Sequence, residues 1–156
     1  MPRRKPTLRH TPGGAALTGL ILETFRLNGR LLSAGDRLVK DLDLTSARWQ
    51  LLGAVAMAPQ AEPVPHLARR MGLVRQGVQR LADELAAEGL LRFAPNPHHK
   101  RAKLLLLTEK GRAAYAEATR LQILWANELA EGLPPSGLRD AAAAMGRIRA
   151  RLERGG

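Results

Sequence analysis

Apolar residues recur at steps of three and four along most of this chain, which is the spacing of amphipathic helices. The first such stretch runs from about Ala15 to Asp41 and carries two apolar faces, which predicts two packing partners. The second runs from Ala47 to Ala58 after Thr45 and Ser46, either of which can cap the free amides at a helix start. Its buried stripe is predicted to consist of Trp49, Leu52, Val55 and Ala56.

A Pro-rich turn at residues 59–65, a short helix and a longer helix come next. The short helix spans residues 66–71 and ends at Gly72, and the longer one runs from about Val74 to Glu88. Two helices joined by a tight turn are typical of a helix-turn-helix, whose second helix enters the major groove of DNA. The inner face of that helix is predicted to hold Val74, Val78, Leu81, Ala82 and Leu85, and the outer face Arg75, Gln76, Gln79, Arg80 and Asp83.

Two short apolar strands, residues 90–94 and 103–107, follow these helices, and a turn of Pro, Asn and basic residues separates them. This arrangement is typical of a wing. Thr108 can then cap a long helix that reaches about Glu131, and a last helix runs over residues 136–154 with a narrow apolar seam. The predicted fold class is mainly α (α+β): a winged helix-turn-helix core with a two-strand wing, flanked by helices at both ends of the chain.

The distribution of charge along the chain indicates the kind of partner that it binds. The 156 residues include 25 Lys and Arg but 14 Asp and Glu, for a formal net charge of +11. Residues 1–12 carry +4, residues 13–62 are neutral, residues 63–104 carry +5 and residues 105–156 carry +2. The excess on the winged helix-turn-helix indicates double-stranded DNA as the partner. Cysteine is absent, which excludes disulfides, thiolate metal sites and thiol redox sensing.

The segment from Leu44 to Ala118 resembles the multiple antibiotic resistance regulator (MarR) family of bacterial winged helix-turn-helix regulators. The order and spacing of four short sequence motifs carry the resemblance: residues 44–52 (LTSARWQLL), 67–73 (LARRMGL), 78–81 (VQRL) and 107–112 (LTEKGR).

The resemblance implies a homodimer, held by the terminal helices, that acts as a repressor on a pseudo-palindromic operator and releases it when a small molecule binds. We therefore divide the chain into a mobile basic arm (residues 1–13), a helical dimerisation region (14–43 and 112–156) and a winged helix-turn-helix DNA-binding domain (44–111).

Several positions depart from the family pattern. Val74 stands where the family usually has a capping Asp or Ser, and Gln76 and Gly77 replace a common Ser-Thr pair. A glycine inside a helix costs roughly 1 kcal/mol relative to alanine. In the wing, His99 stands two residues before Arg101, where an Asp is often found. These departures bear on which operator is bound and leave DNA binding itself in place.

Seven polar side chains are predicted to contact DNA. Those at the start of the recognition helix can reach base edges, where arginine pairs with guanine and glutamine with adenine. Those on its flank and on the preceding helix can bind phosphates, and those at the wing tip can enter a narrow minor groove. The predicted base-reading residues are Arg75, Gln76 and Gln79, the phosphate-binding residues Arg80 and Arg69, and the wing residues Lys100 and Arg101.

The resemblance also implies a pocket for a small aromatic or acidic effector between the first two helices and the DNA-binding core. Its predicted lining is Trp49, Phe25, Arg26 and His66. A plain structural role in the core is the simpler interpretation of Trp49 and Phe25.

Other chemistry finds little support in the residues. His98 and His99 could be metal ligands, but adjacent residues on a hairpin diverge, and solvated histidines of the wing are the simpler interpretation. The chain has no nucleophile elbow, phosphate loop or suitably spaced carboxylate pair, so we expect no enzyme, cofactor or metal. The stretch from Gly13 to Leu22 follows a basic start as in a signal peptide, but Glu23 and Arg26 continue its helical pattern, and we expect a cytoplasmic, nucleoid-associated protein without a membrane partner.

Two other classes of function stay open. The first is a basic architectural or RNA-binding protein without operator specificity, against which the missing aromatic stacking platforms and Gly-rich RNA loops argue. The second is a protein-interaction module whose winged helix no longer binds DNA, against which the outward basic residues argue.

Overall fold

The computed structural model describes residues 9–155, and it is mainly helical with one small antiparallel sheet. The elements in chain order are α1 (Pro12–Val39), α2 (Ser46–Ala56), β1 (Glu62–Pro63), α3 (Val64–Met71), α4 (Arg75–Ala87), β2 (Leu91–Ala94), β3 (Leu104–Leu107), α5 (Glu109–Leu129) and α6 (Pro135–Arg154), with a 3-10 turn at Lys40–Leu42. The chain divides into two compact units, one up to residue 119 and one from residue 120 onward. The predicted fold class is confirmed, whereas most of the predicted arm lies outside the described residues.

The core of the first unit lies where α2, α3, α4 and the sheet meet. Leu52 of α2, Leu67 of α3, Leu85 of α4 and Leu105 of β3 are all nearly or completely buried. Full burial of a side chain of this size contributes roughly 1.5–3 kcal/mol to stability. The hydrophobic contacts that hold the helix-turn-helix together therefore come from elements spread along the whole first unit.

The buried stripe predicted for α2 is wrong in part. Leu51 and Ala54 are buried, Trp49 and Val55 are only half-buried, and Ala56 is exposed. The reason is that α2 contacts α1, α3, α4 and β3, so it is buried on more than the single side that a simple stripe assumes.

The sheet has the strand order β1-β3-β2, and both pairings are antiparallel. Phe93 of β2 and Glu62 of β1 both lie opposite Leu105 in the register. The predicted two-strand wing is confirmed, but a third strand occupies part of the predicted Pro-rich turn. Pro63 fits there because β1 lies at the edge of the sheet, where a missing amide donor is tolerated.

Two predicted caps and one close contact fix the ends of α2 and α5. The hydroxyl of Thr45 accepts a hydrogen bond from the Arg48 amide at 3.2 Å, and that of Thr108 accepts one from the Gly111 amide at 3.0 Å. A Cβ added to Gly111 would lie 1.9 Å from the Leu90 carbonyl oxygen. Glycine is therefore required where α5 begins beside the first wing strand.

The outer helices bury little of their apolar surface in the single chain. In α1 only Gly35 and Val39 are buried, near its C-terminal end, whereas Phe25 is 70% exposed. Helix α6 buries none of its residues, and its Leu138 and Leu152 are 48% and 72% exposed.

Candidate nucleic-acid interface

The turn between α3 and α4 sets the position of the predicted recognition helix. Helix α3 ends at Met71, and its C-cap Gly72 adopts the left-handed conformation, with φ of 67°, that glycine tolerates best. The amide of Gly72 donates to the Arg69 carbonyl at 3.1 Å, and that of Leu73 donates to the Ala68 carbonyl at 3.0 Å. These bonds satisfy the carbonyls at the end of α3 and direct the chain into α4.

Burial then decides which face of α4 is free. Val78, Ala82 and Leu85 have no exposed surface, because they pack into the core beneath the helix. Arg75, Gln76 and Arg80 are exposed on the other side, as predicted from the spacing, and Gln79 is half-buried. The Gln79 side-chain amide donates a hydrogen bond to the carboxylate of Asp83 one turn later, at 3.0 Å. That bond restricts the Gln79 side chain while its carbonyl oxygen stays available as an acceptor.

Val74 is an exception to the predicted inner face of α4. It is the N-cap residue with an extended backbone, and its side chain is 74% exposed. The apolar spacing misplaced it because the helix begins one residue later, at Arg75.

A cleft of about 250 Å³ separates α4 from the wing. Arg75, Gln79 and Asp83 line it from the helix side, and Arg101 and Lys103 line it from the wing side. Three cationic side chains thus surround a space that holds one carboxylate, and that carboxylate is hydrogen-bonded to Gln79. The structure brings three of the predicted DNA-contacting residues together here, namely Arg75, Gln79 and Arg101.

Local hydrogen bonds shape the wing tip. The Asn96 side chain accepts a bond from the His98 amide at 3.0 Å and donates one to the Ala102 carbonyl at 2.9 Å. The Nδ1 atom of His99 accepts a bond from the Ala102 amide at 3.2 Å. With the turn closed in this way, Lys100 and Arg101 are exposed at its tip.

Not every arginine of the basic segment faces outward in the same way. Arg69, on the last turn of α3, is exposed. The neighbouring Arg70 instead donates to the Ala54 carbonyl and pairs with Glu62 at 3.3 Å, which ties α3 to α2 and β1. The segment charge therefore overstates the number of cations that can bind DNA.

Two residues of the cleft had no predicted site role. Lys103 lines the cleft beside Arg101. The sequence could have pointed to it, because Lys103 is the third cation of the wing after Lys100 and Arg101. Asp83 lies on the predicted outer face of α4. Its spacing of four residues from Gln79 is the one that allows a hydrogen bond between side chains on a helix, and such a bond is present.

The four residues predicted to bind an effector lie on three different helices. Trp49 is half-buried against the core on α2, and His66 is exposed on α3. On α1, Phe25 is 70% exposed and Arg26 forms an exposed ion pair with Glu23 at 3.4 Å. In the single chain Phe25, Arg26 and His66 are thus exposed, and only Trp49 is partly buried.

An exposed recognition helix beside a basic wing defines this protein as a winged helix-turn-helix DNA-binding protein. Across the part of the chain that the structure describes, no helix combines the length and apolar character needed to cross a membrane. A sequence profile described as "MarR family" matches residues 42–102. An uncharacterized protein of Mycobacterium tuberculosis is 40% identical over 119 residues, which are 76% of this chain and 82% of that protein.

Solved structures of MarR family transcription regulators share the fold. The M. tuberculosis transcriptional regulator MosR in complex with DNA gives a TM-score of 0.69 at 26% identity, over 83% of this chain and 96% of that one. CouR from Rhodococcus jostii RHA1 bound to p-coumaroyl-CoA gives 0.71 at 24% identity, over 79% and 86%. The chain belongs to the MarR family of transcription regulators.

Proposed function

We propose that this protein is a ligand-responsive repressor that binds a pseudo-palindromic operator as a homodimer. The cleft between α4 and the wing is the observation that carries this proposal. Arg75, Arg101 and Lys103 converge there beside the polar side chain of Gln79, which is the combination of positive charge and hydrogen-bonding groups that duplex DNA requires.

The positions of the exposed side chains support different roles for them in DNA binding. The base-reading group lies on the first turns of α4, where a recognition helix meets base edges. The phosphate-binding group flanks it, and the wing group extends from the turn that Asn96 closes. We assign base reading to Arg75, Gln76 and Gln79, phosphate binding to Arg80, Arg69 and Lys103, and wing contacts to Lys100 and Arg101.

Apolar exposure supports the homodimer. Leu138, Met145 and Leu152 recur at steps of seven on α6, and they are 48%, 36% and 72% exposed. A repeat of this kind is the seam of a helix that packs against another helix, and soluble monomers rarely expose extended apolar surfaces. We assign residues 14–43 and 112–156 to dimerisation and residues 44–111 to DNA binding.

A small aromatic or acidic effector is the third part of the proposal. The related CouR structure holds p-coumaroyl-CoA, an aromatic acyl thioester. In this chain Phe25 and Arg26 would supply an aromatic ring and a cation to such a ligand, while Trp49 and His66 would approach from α2 and α3. Because Phe25 and Arg26 are exposed in the single chain, a second copy has to complete the pocket.

Fluorescence anisotropy with the DNA upstream of the protein's own gene tests the first two parts. The wild type is expected to bind this DNA more tightly than a scrambled duplex of equal length. Arg75→Ala should weaken binding to the upstream DNA by roughly 30-fold or more, since a base-reading arginine contributes about 1–3 kcal/mol of discrimination in each of the two half-sites, and should affect the scrambled duplex less. Arg30→Ala removes the same charge from α1, away from the proposed DNA contacts, and serves as the control once ultracentrifugation shows that it self-associates like the wild type.

Three outcomes would contradict the proposal. An equal loss for Arg75→Ala on both duplexes removes its base-reading role. Equal wild-type affinity for upstream, scrambled and RNA duplexes supports the architectural or RNA-binding alternative. Aromatic carboxylic acids and their CoA esters should release the upstream DNA, and a panel that leaves the complex intact argues against an effector of that class.

A further inference from the structure

The start of α4 carries an apolar side chain where its own stability favours a polar one. Val74 is the N-cap, its side chain accepts no capping hydrogen bond, and it is 74% exposed. A Ser, Thr, Asp or Asn at this position would accept a bond from a free amide of the first turn and stabilise the helix. Val74 therefore serves neither the core nor the cap of its helix.

Gly77, three residues further, repeats this pattern. It lies in the first turn of α4, where a glutamate would complete a capping box, and a Cβ added to it would meet nothing within 4 Å. Glycine inside a helix is unfavourable, and here no neighbouring atom requires it. Val74 and Gly77 thus both make the start of α4 less stable than other residues would, and residues of this kind are expected at functional positions.

The surroundings of Val74 are those of the proposed DNA interface. Arg75 follows it directly and lines the cleft with Gln79 and Arg101. The N-terminal residues of a recognition helix are the ones that meet base edges. In the major groove, the apolar group that a base edge presents is the C5-methyl of thymine, and aliphatic side chains recognise thymine by contact with it.

We propose that Val74 is a specificity-determining residue that contacts the C5-methyl group of a thymine in each operator half-site, next to the base contacted by Arg75. This inference rests on the proposed operator binding and adds a base preference to it. The open space beside Gly77 lets the DNA approach the first turn of α4 closely enough for the short isopropyl group to reach the methyl.

The test starts with selection of bound sequences from a randomised duplex library by the full chain. Wild type and Val74→Ile should enrich a thymine at one fixed position of each half-site, whereas Val74→Ser should lose that preference and keep the rest of the motif. Serine can cap α4, so this variant should melt at a temperature no lower than wild type, and loss of the fold is thereby distinguished from loss of the contact.

Deoxyuridine then isolates the methyl group, because it differs from thymidine only in lacking it. Replacing the selected thymine by deoxyuridine in one half-site should weaken wild-type binding by about fourfold, and in both half-sites by about fifteenfold, as expected for one apolar carbon per contact. Val74→Ser should bind the thymine and deoxyuridine duplexes with equal affinity.

The outcomes separate this inference from the function on which it rests. Selection of a defined motif with equal affinity for thymine and deoxyuridine overturns the Val74 contact and leaves the operator-binding proposal standing. The same result follows if Val74→Ser keeps the thymine preference, or if its only effect is on the oligomeric state. Failure of the wild type to enrich any sequence overturns both proposals.

Discussion

Helices α4 and α6 are both amphipathic, yet they differ in where their apolar residues find partners. The 13-residue α4 completely buries Val78, Ala82 and Leu85 against other elements of its own unit. The 20-residue α6 has a regular apolar seam and buries none of its residues. The pattern predicts both helices equally well, but only the structure shows that the apolar face of α4 is buried within the chain and that the apolar face of α6 is not.

The largest expected effect is on the close packing of α5 against the start of the wing. Gly111→Ala places a methyl group 1.9 Å from the backbone oxygen of Leu90, and backbone cannot move aside as a flexible side chain can. We expect the free energy of unfolding to fall by about 3 kcal/mol or more, as measured by chemical denaturation. Gly77→Ala is the matched control, because the same methyl meets nothing within 4 Å there and should raise helix stability by up to about 1 kcal/mol. Equal effects of the two substitutions would show that the α5 junction is not closely packed.

The next effect concerns the exposed seam of α6. Met145→Glu puts a charge on the apolar face, and burial of that charge in a dimer should weaken self-association by at least about a hundredfold. Ala143→Glu introduces the same charge on the opposite, exposed face of the helix and should leave self-association unchanged. Analytical ultracentrifugation measures both. A monomeric wild type, or two variants that dissociate alike, would argue against α6 as the dimer seam.

The smallest effect compares the partly buried hydroxyl of Thr108 with the exposed hydroxyl of Thr24. The hydroxyl of Thr108 caps α5 through the Gly111 amide and also donates to the Gly89 carbonyl at 2.6 Å, so Thr108→Ala should cost about 1–2 kcal/mol. The hydroxyl of Thr24 donates to the Leu20 carbonyl within the exposed surface of α1, and Thr24→Ala should change stability by less than about 0.5 kcal/mol. Thermal melts of the two variants at one protein concentration give the comparison, and a larger loss for Thr24→Ala would reverse it.

Local signals in the sequence were sufficient for much of the fold. The caps at Thr45 and Thr108 and the left-handed Gly72 were predictable, because each follows from a hydroxyl or a glycine beside a helical pattern. The elements that depend on distant partners were not. Strand β1 exists only because β3 pairs with it, and the burial of Leu51 depends on the several elements that surround α2.

The candidate site shows the same division. The outward face of α4 follows from helical spacing, which predicted the exposure of Arg75, Gln76 and Arg80. The charge count, however, could not separate Arg70, which is bound to Glu62 and Ala54, from Lys103, which lines the cleft. That distinction depends on which strand and helix meet in the folded unit.

The salt dependence of binding tests the central claim most directly, namely that the cationic surface of α4 and the wing binds duplex DNA. For the upstream duplex, the affinity of the wild type should fall by about three to five orders of magnitude between 50 and 200 mM salt if a dimer makes roughly six to ten phosphate contacts. Lys103→Ala should lower the slope of log K against log salt, because it removes a phosphate-binding cation from each subunit. An affinity that stays constant over this range of salt would contradict the account.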